Sequence, residues 1–167
     1  MRTEIVITET QWAAVKEYVE SEHPKIGVVV SQFHPQLTEY LEEGALQLLQ
    51  EAGVFNNKLV MAYAPGAFEL PVIAQNLITE AECQAVICLG VVIKGDTPHF
   101  DYVCQEAARG IQQVSLTTGC PVIFGVITTT NYEQAELRCN PKKDNKGAYA
   151  AWAALQTLQT ITSFNSL

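Results

Sequence analysis

The sequence predicts an α/β domain built as a three-layer sandwich, a mainly parallel four-stranded sheet held between layers of helix. Three observations carry that prediction. The run Ala85 to Ile93 holds nine uncharged residues rich in Val and Ile, the pattern of a strand buried on both faces. Strand-like and helix-like segments alternate along the chain, the order that winds a parallel sheet. Hydrophobic residues make up 48% of the 167 and charged residues only 17%, enough for a full core and too apolar for disorder.

Taken in order, each element has a local reason. Thr10 is placed to cap an amphipathic turn carrying Trp12, Val15 and Val19. Ile26 to Val30 is a short β-branched strand, and Pro35 opens a helix with Leu37, Leu41, Leu48, Leu49 and Ala52 on one side. Gly53 suits its stop. Lys58 to Tyr63 is the next strand, ending at Ala64-Pro65-Gly66. A helix from about Glu69 towards Thr79 tolerates Pro71 because it lies in the first turn. After the central strand, Lys94-Gly95-Asp96-Thr97-Pro98-His99 reads as a helix start, with Thr97 capping and Pro98 at the first helical position. Helical spacing then runs through Tyr102, Val103, Ala107, Gly110, Ile111 and Val114. Val122 to Thr128 is a fourth strand, and Thr130 with Glu133 makes a capping box for a short helix. Gly147 opens a last helix rich in Ala and Leu. There are no repeats, low-complexity tracts or linkers, so residues 1–167 form one domain, with 1–24 an N-terminal extension.

Charge narrows the partners. A net charge of −8 argues against nucleic acid and anionic membranes. Four of the ten basic residues, Arg138, Lys142, Lys143 and Lys146, nevertheless fall within nine positions. That cluster is either a solvated loop or a local phosphate clamp. Five cysteines, at 83, 88, 104, 120 and 139, show no metal-ligand spacing, and the histidines at 23, 34 and 99 are far apart, so a metal site is not expected. Without a signal peptide or an apolar run near 18 residues, the chain is expected to be cytoplasmic, with reduced thiols. The low charged share hints at surface hidden between subunits.

In parallel sheets, ligands bind beyond the carboxyl ends of the strands. The first strand delivers Ser31-Gln32-Phe33-His34, the second Pro65-Gly66-Ala67-Phe68-Glu69, the third Lys94 to His99, and the fourth Thr128 to Asn131. Phe33 is either a core residue or a platform for a flat heterocycle. Glu69 either favours a helix start through the dipole or accepts the N–H donors of a pyrimidine. His99 is either a mere helix-start residue or an acid–base group beside free amides that suit a phosphate.

The segments PGAFELP (65–71), GVVIKGDTPHFDYV (90–103), PVIFGVITT (121–129), EQAELR (133–138) and NKG (145–147) resemble the 6,7-dimethyl-8-ribityllumazine synthase family. The resemblance runs from about Lys25 to the last helix. It implies a transferase that condenses 5-amino-6-(ribitylamino)uracil with 3,4-dihydroxy-2-butanone 4-phosphate, releasing phosphate and water in the penultimate step of riboflavin biosynthesis, without cofactor or metal. By resemblance, Phe33 stacks on the uracil ring, Ala67, Phe68 and Glu69 with Val91, Val92 and Ile93 line the pyrimidine and ribityl pocket, and Phe124 packs on the heterocycle. Asp96 and Thr97 offer amides to the phosphate, Arg138 pairs with it assisted by Lys146, and His99 transfers protons.

The resemblance also implies a flavodoxin-like strand order and a homopentamer with sites at its interfaces, assembling further as a decamer or an icosahedral shell, with riboflavin synthase a possible associate. Ile5-Val6-Ile7 would add a strand to a neighbouring subunit's sheet. A non-catalytic flavin or lumazine binder, or a shell protein, on the same scaffold is the alternative. Three departures stand out. His34 occupies a position where the family usually has Asn, and Asn140-Pro141-Lys142-Lys143-Asp144 replaces the usual Gly-Thr-Lys-Ala-Gly. The N-terminal segment is also longer than the family's.

Overall fold

Burial of the central strand organises the molecule. A computed structural model describes residues 6–143 and 145–164. Strands β1 (Ile26–Ser31), β2 (Leu59–Ala64), β3 (Ala85–Ile93) and β4 (Val122–Thr129) form one sheet in the order β2-β1-β3-β4, every pair parallel. All of Ala85 to Val91 is buried, as the uncharged run requires. Side chains alternate across the sheet. Ile87 and Leu89 face a core shared with helices α1 (Glu9–Glu22), α2 (Pro35–Ala52) and α6 (Lys146–Phe164). Val86 and Cys88 face the opposite core, under α3 (Leu70–Thr79) and α4 (His99–Thr118). A short helix, α5 (Tyr132–Cys139), follows β4 and packs against α2 and α6. The three-layer sandwich with a flavodoxin-like strand order is therefore observed.

The strands and long helices start and stop within a residue or two of the positions read from the sequence. Gly53 ends α2 in the left-handed region (φ 101°), its amide donating to Gln50 O at 3.0 Å while Val54 N reaches Leu49 O at 2.9 Å. Three caps differ from expectation. Thr8, not Thr10, caps α1, because Gln11 lies three residues beyond it: Gln11 N donates to Thr8 Oγ1 (3.2 Å) and Thr8 N donates to Gln11 Oε1 (3.0 Å). Ala13, three residues after Thr10, has no side chain to close such a pair. Asn131, not Thr130, caps α5, its Oδ1 accepting Gln134 N at 2.9 Å, while Thr130 N instead donates to Gln134 Oε1 at 3.2 Å. Thr97 makes no capping bond; α4 begins at His99, and the Pro98 carbonyl accepts Asp101 N at 3.0 Å. Tyr102 also departs from the expected apolar face of α4, lying 67% exposed, whereas Ala107, Ile111 and Val114 are buried.

The N-terminal helix has a clear packing role. Val15, Tyr18 and Val19 are buried, and the Trp12 ring meets Trp152 of α6 with centroids 5.8 Å apart. Ile5 lies outside the described residues; Val6 and Ile7 belong to no strand of this chain.

Candidate functional site

Where the strand order reverses, β1 and β3 are neighbours whose following connections leave to opposite faces, and a crevice opens beyond their carboxyl ends. A cavity of about 560 Å³ occupies this place. Its walls come from the ends of three strands. Phe33 and His34 follow β1, Gly66 to Glu69 follow β2, and Val91, Val92, Ile93, Gly95 and Thr97 form and follow the end of β3. The first turns of α4 add His99, Phe100 and Val103. Most of this lining is apolar, the usual chemistry of a small-molecule cleft with a few polar groups to set orientation.

The polar groups are placed by short-range geometry. After β1 the chain is held by Gln32 N donating to Ala64 O (2.9 Å) and by Phe33 N against the buried Ser31 Oγ (3.4 Å). This leaves the Phe33 ring 65% exposed. His34 takes a left-handed conformation (φ 54°, ψ 58°) before Pro35, and its carbonyl accepts Leu37 N and Thr38 N to start α2. A non-glycine residue in this region carries strain, and proline after it narrows the choice further. Gly66 lets two groups converge. A Cβ there would lie 3.1 Å from Glu69 Oε2 and 3.4 Å from the Phe33 ring, so carboxylate and ring meet over a bare backbone.

Beyond β3, Lys94 N donates to Thr129 O at 2.8 Å, tying the strand end to β4. The amides of Gly95, Asp96 and Thr97 then donate to no described residue and lie in exposed chain next to the start of α4. His99, exposed in the first turn of that helix, stands beside them. An imidazole, a carboxylate, an aromatic face and open amides thus share one cleft.

Of the residues expected from the sequence, Phe33, Ala67, Phe68, Glu69, Val91, Val92, Ile93, Thr97 and His99 line the cavity. Asp96 sits on the same loop without lining it. Phe124, Arg138 and Lys146 lie elsewhere. Phe124 is 43% exposed on β4, one of the two edge strands of the sheet. Arg138 ends α5, where its Nη1 donates to Gln134 O at 2.7 Å. Lys146 opens α6 with its Nζ 4.2 Å over the Tyr149 ring. Arg138 borders a buried thiol: loss of solvent pushes Cys139 up to about 12, only partly opposed by the guanidinium charge. Sequence reasoning left Phe100 and Val103 out of the site. Their spacing from His99, on one side of the first helical turns, is the signal that could have found them.

Among the described residues no cluster of His, Cys, Asp or Glu is fit to hold a metal ion, and no helix is long and apolar enough to cross a membrane. Fold and cleft together define a doubly wound α/β protein with a small-molecule site at its strand switch point. The kinship is narrower than that class. The family model for 6,7-dimethyl-8-ribityllumazine synthase matches residues 23–162, and the chain belongs to this family, transferases of riboflavin biosynthesis. Helix α1 ends at Glu22 and so lies wholly outside the matched stretch.

Proposed function

We propose that the chain condenses 5-amino-6-(D-ribitylamino)uracil with 3,4-dihydroxy-2-butanone 4-phosphate to give 6,7-dimethyl-8-(D-ribityl)lumazine. The observation that carries this reading is the shared cleft of Phe33, Glu69 and His99 beside the open amides of residues 95–97. The ring of Phe33 offers a stacking face for the pyrimidine, and the Glu69 carboxylate accepts from its N–H groups. The amides of Asp96 and Thr97, with Arg138 and Lys146, take the phosphate.

The chemistry needs a proton carrier at each step. The 5-amino group attacks the ketone, and the carbinolamine loses one water to give an imine. A proton leaves the carbon next to the imine, phosphate departs from the adjacent carbon, and the resulting enol becomes a ketone. The ribityl-bearing amine closes on that ketone with loss of a second water. His99 moves these protons, while the cationic and amide groups stabilise the departing phosphate.

The separation of Arg138, Lys146 and Phe124 from the cavity supports a second part of the reading. A complete site forms between subunits of a homopentamer, with Phe33, Glu69 and His99 from one chain and Phe124, Arg138 and Lys146 from its neighbour. The N-terminal segment around Ile5-Val6-Ile7 adds a strand to an adjacent sheet. A pentamer is the unit, with a closed shell favoured over a decamer.

Incubation with both substrates, following product fluorescence and phosphate release together, tests the activity. Fluorescence of bound lumazine without phosphate release would overturn it in favour of a binder. Co-assembly of His99→Ala chains with Arg138→Ala chains, assayed at butanone phosphate concentrations too low for Arg138→Ala alone to turn over, tests the shared site. Partial recovery of activity is expected, because some interfaces then pair two intact halves, and no recovery in proven mixed assemblies would sink the shared-site arrangement.

A further inference from the structure

We propose that Asn145 is the positioning residue for the anion-binding pair Arg138 and Lys146, holding both cations in one corner before substrate arrives; this rests on the functional reading above. The side chain is only 6% exposed, and its amide joins three helices. Nδ2 donates to Cys139 O at the end of α5 (2.6 Å) and to Tyr40 O within α2 (2.7 Å). Oδ1 accepts Ala148 N in the first turn of α6 at 3.0 Å, the bond of a helix cap. Both amide donors are therefore used.

The two cations flank these bonds directly. Arg138 precedes Cys139, whose carbonyl Asn145 holds, and Lys146 follows Asn145 itself. One planar amide thus sets the end of α5 and the start of α6 relative to each other and to α2. The neighbouring glycines show how closely this bracket is fitted. A Cβ on Gly44 would overlap the Asn145 amide, and one on Gly147 would overlap the Leu41 backbone. In the Asn-Lys-Gly segment, then, the outer residues are locked against α2 and the lysine between them is carried at a fixed place. A plain capping role would not need the Nδ2 donors, since a serine oxygen caps a helix as well. The donors to Cys139 and Tyr40 are what only the amide supplies.

Asn145→Ser keeps a capping oxygen and removes both donations. Varying each substrate separately, the KM of the butanone phosphate is expected to rise roughly 5–20-fold, the range of coupling between residues of one bonded network. The KM of the pyrimidine should stay within about threefold, because the displaced cations hold the phosphorylated substrate alone. Gly44→Ala, whose methyl displaces the amide while Asn145 itself is kept, is expected to give the same selective rise. The double variant Asn145→Ser/Arg138→Ala should be weaker for the phosphorylated substrate than Arg138→Ala by less than the Asn145→Ser factor, because only Lys146 is then left to be displaced.

Equal rises in both KM values, an additive double variant, or failure of both Asn145→Ser and Gly44→Ala to fold would assign Asn145 a structural role only and overturn the proposal. If Arg138→Ala itself leaves the butanone phosphate KM unchanged, the assignment of the cations falls first and takes the bracket with it. If Arg138→Ala raises that KM and Asn145→Ser does not, the bracket alone is wrong.

Discussion

The strand-end cavity and the α5–α6 corner hold the two halves of the proposed site, and they are made in opposite ways. In the cavity, chain leaving three parallel strands presents groups that no described residue satisfies: an exposed Phe33 ring and the amides of residues 95–97. In the corner, a buried amide is bonded on every side to main chain, and the cations stand next to it. The first half is a surface left open by topology. The second is a surface held in place by a closed network. Chemistry that must exchange protons suits the open half, and recognition of a fixed charge suits the rigid one.

The largest expected effect breaks the cavity half. His99→Ala should slow turnover by roughly 10²–10⁴-fold, the range for a lost acid–base group, with unchanged circular dichroism. An unaltered kcat would remove His99 from the mechanism. Gly147→Ala strikes the corner through packing. Its added methyl meets the Leu41 backbone, and overpacking of this kind costs about 1–3 kcal/mol, read as a lower urea midpoint at constant m-value. Equal stability to the parent would show that α6 shifts without penalty.

Arg138→Ala sharpens the contrast. Loss of a charged hydrogen bond should raise the KM of the phosphorylated substrate roughly 10–100-fold and leave the pyrimidine's alone. The reverse pattern would move Arg138 to the other substrate. His34→Gly is the smallest change. Relief of the left-handed strain at φ 54°, less the entropy of an added glycine, should stabilise the fold by about 0.5–1 kcal/mol in denaturant titration. A destabilised variant would mean that the imidazole contributes more than its backbone costs.

These two halves were unequally legible in the sequence. The cavity follows from local pattern: an uncharged strand must be central, and its end must lie at the sheet's crevice, so Lys94 to His99 could be placed before any coordinates. Helix ends were harder: only Gln11, three residues after Thr8, separates that cap from Thr10, and Thr130 with Glu133 has the same box spacing as Asn131 with Gln134. From local pattern alone the corner was visible only as a cluster of basic residues, and its phosphate role came from the family likeness of EQAELR and NKG. Its organising bond joins Asn145 to Tyr40, 105 positions away, and no local rule reaches that far. Gly44 gave no signal either, since a glycine inside a helix reads as a weakness until its neighbour is known.

The contact of Trp12 with Trp152 has an optical consequence. The chain contains two tryptophans, and both are in this pair, one on α1 and one on α6. Intrinsic indole emission therefore reports the seating of the N-terminal helix and draws nothing from the rings at the strand ends, which are phenylalanines. A melting curve followed at tryptophan wavelengths would record α1 leaving α6, while the cleft, outside that signal, would need a chromophore of its own.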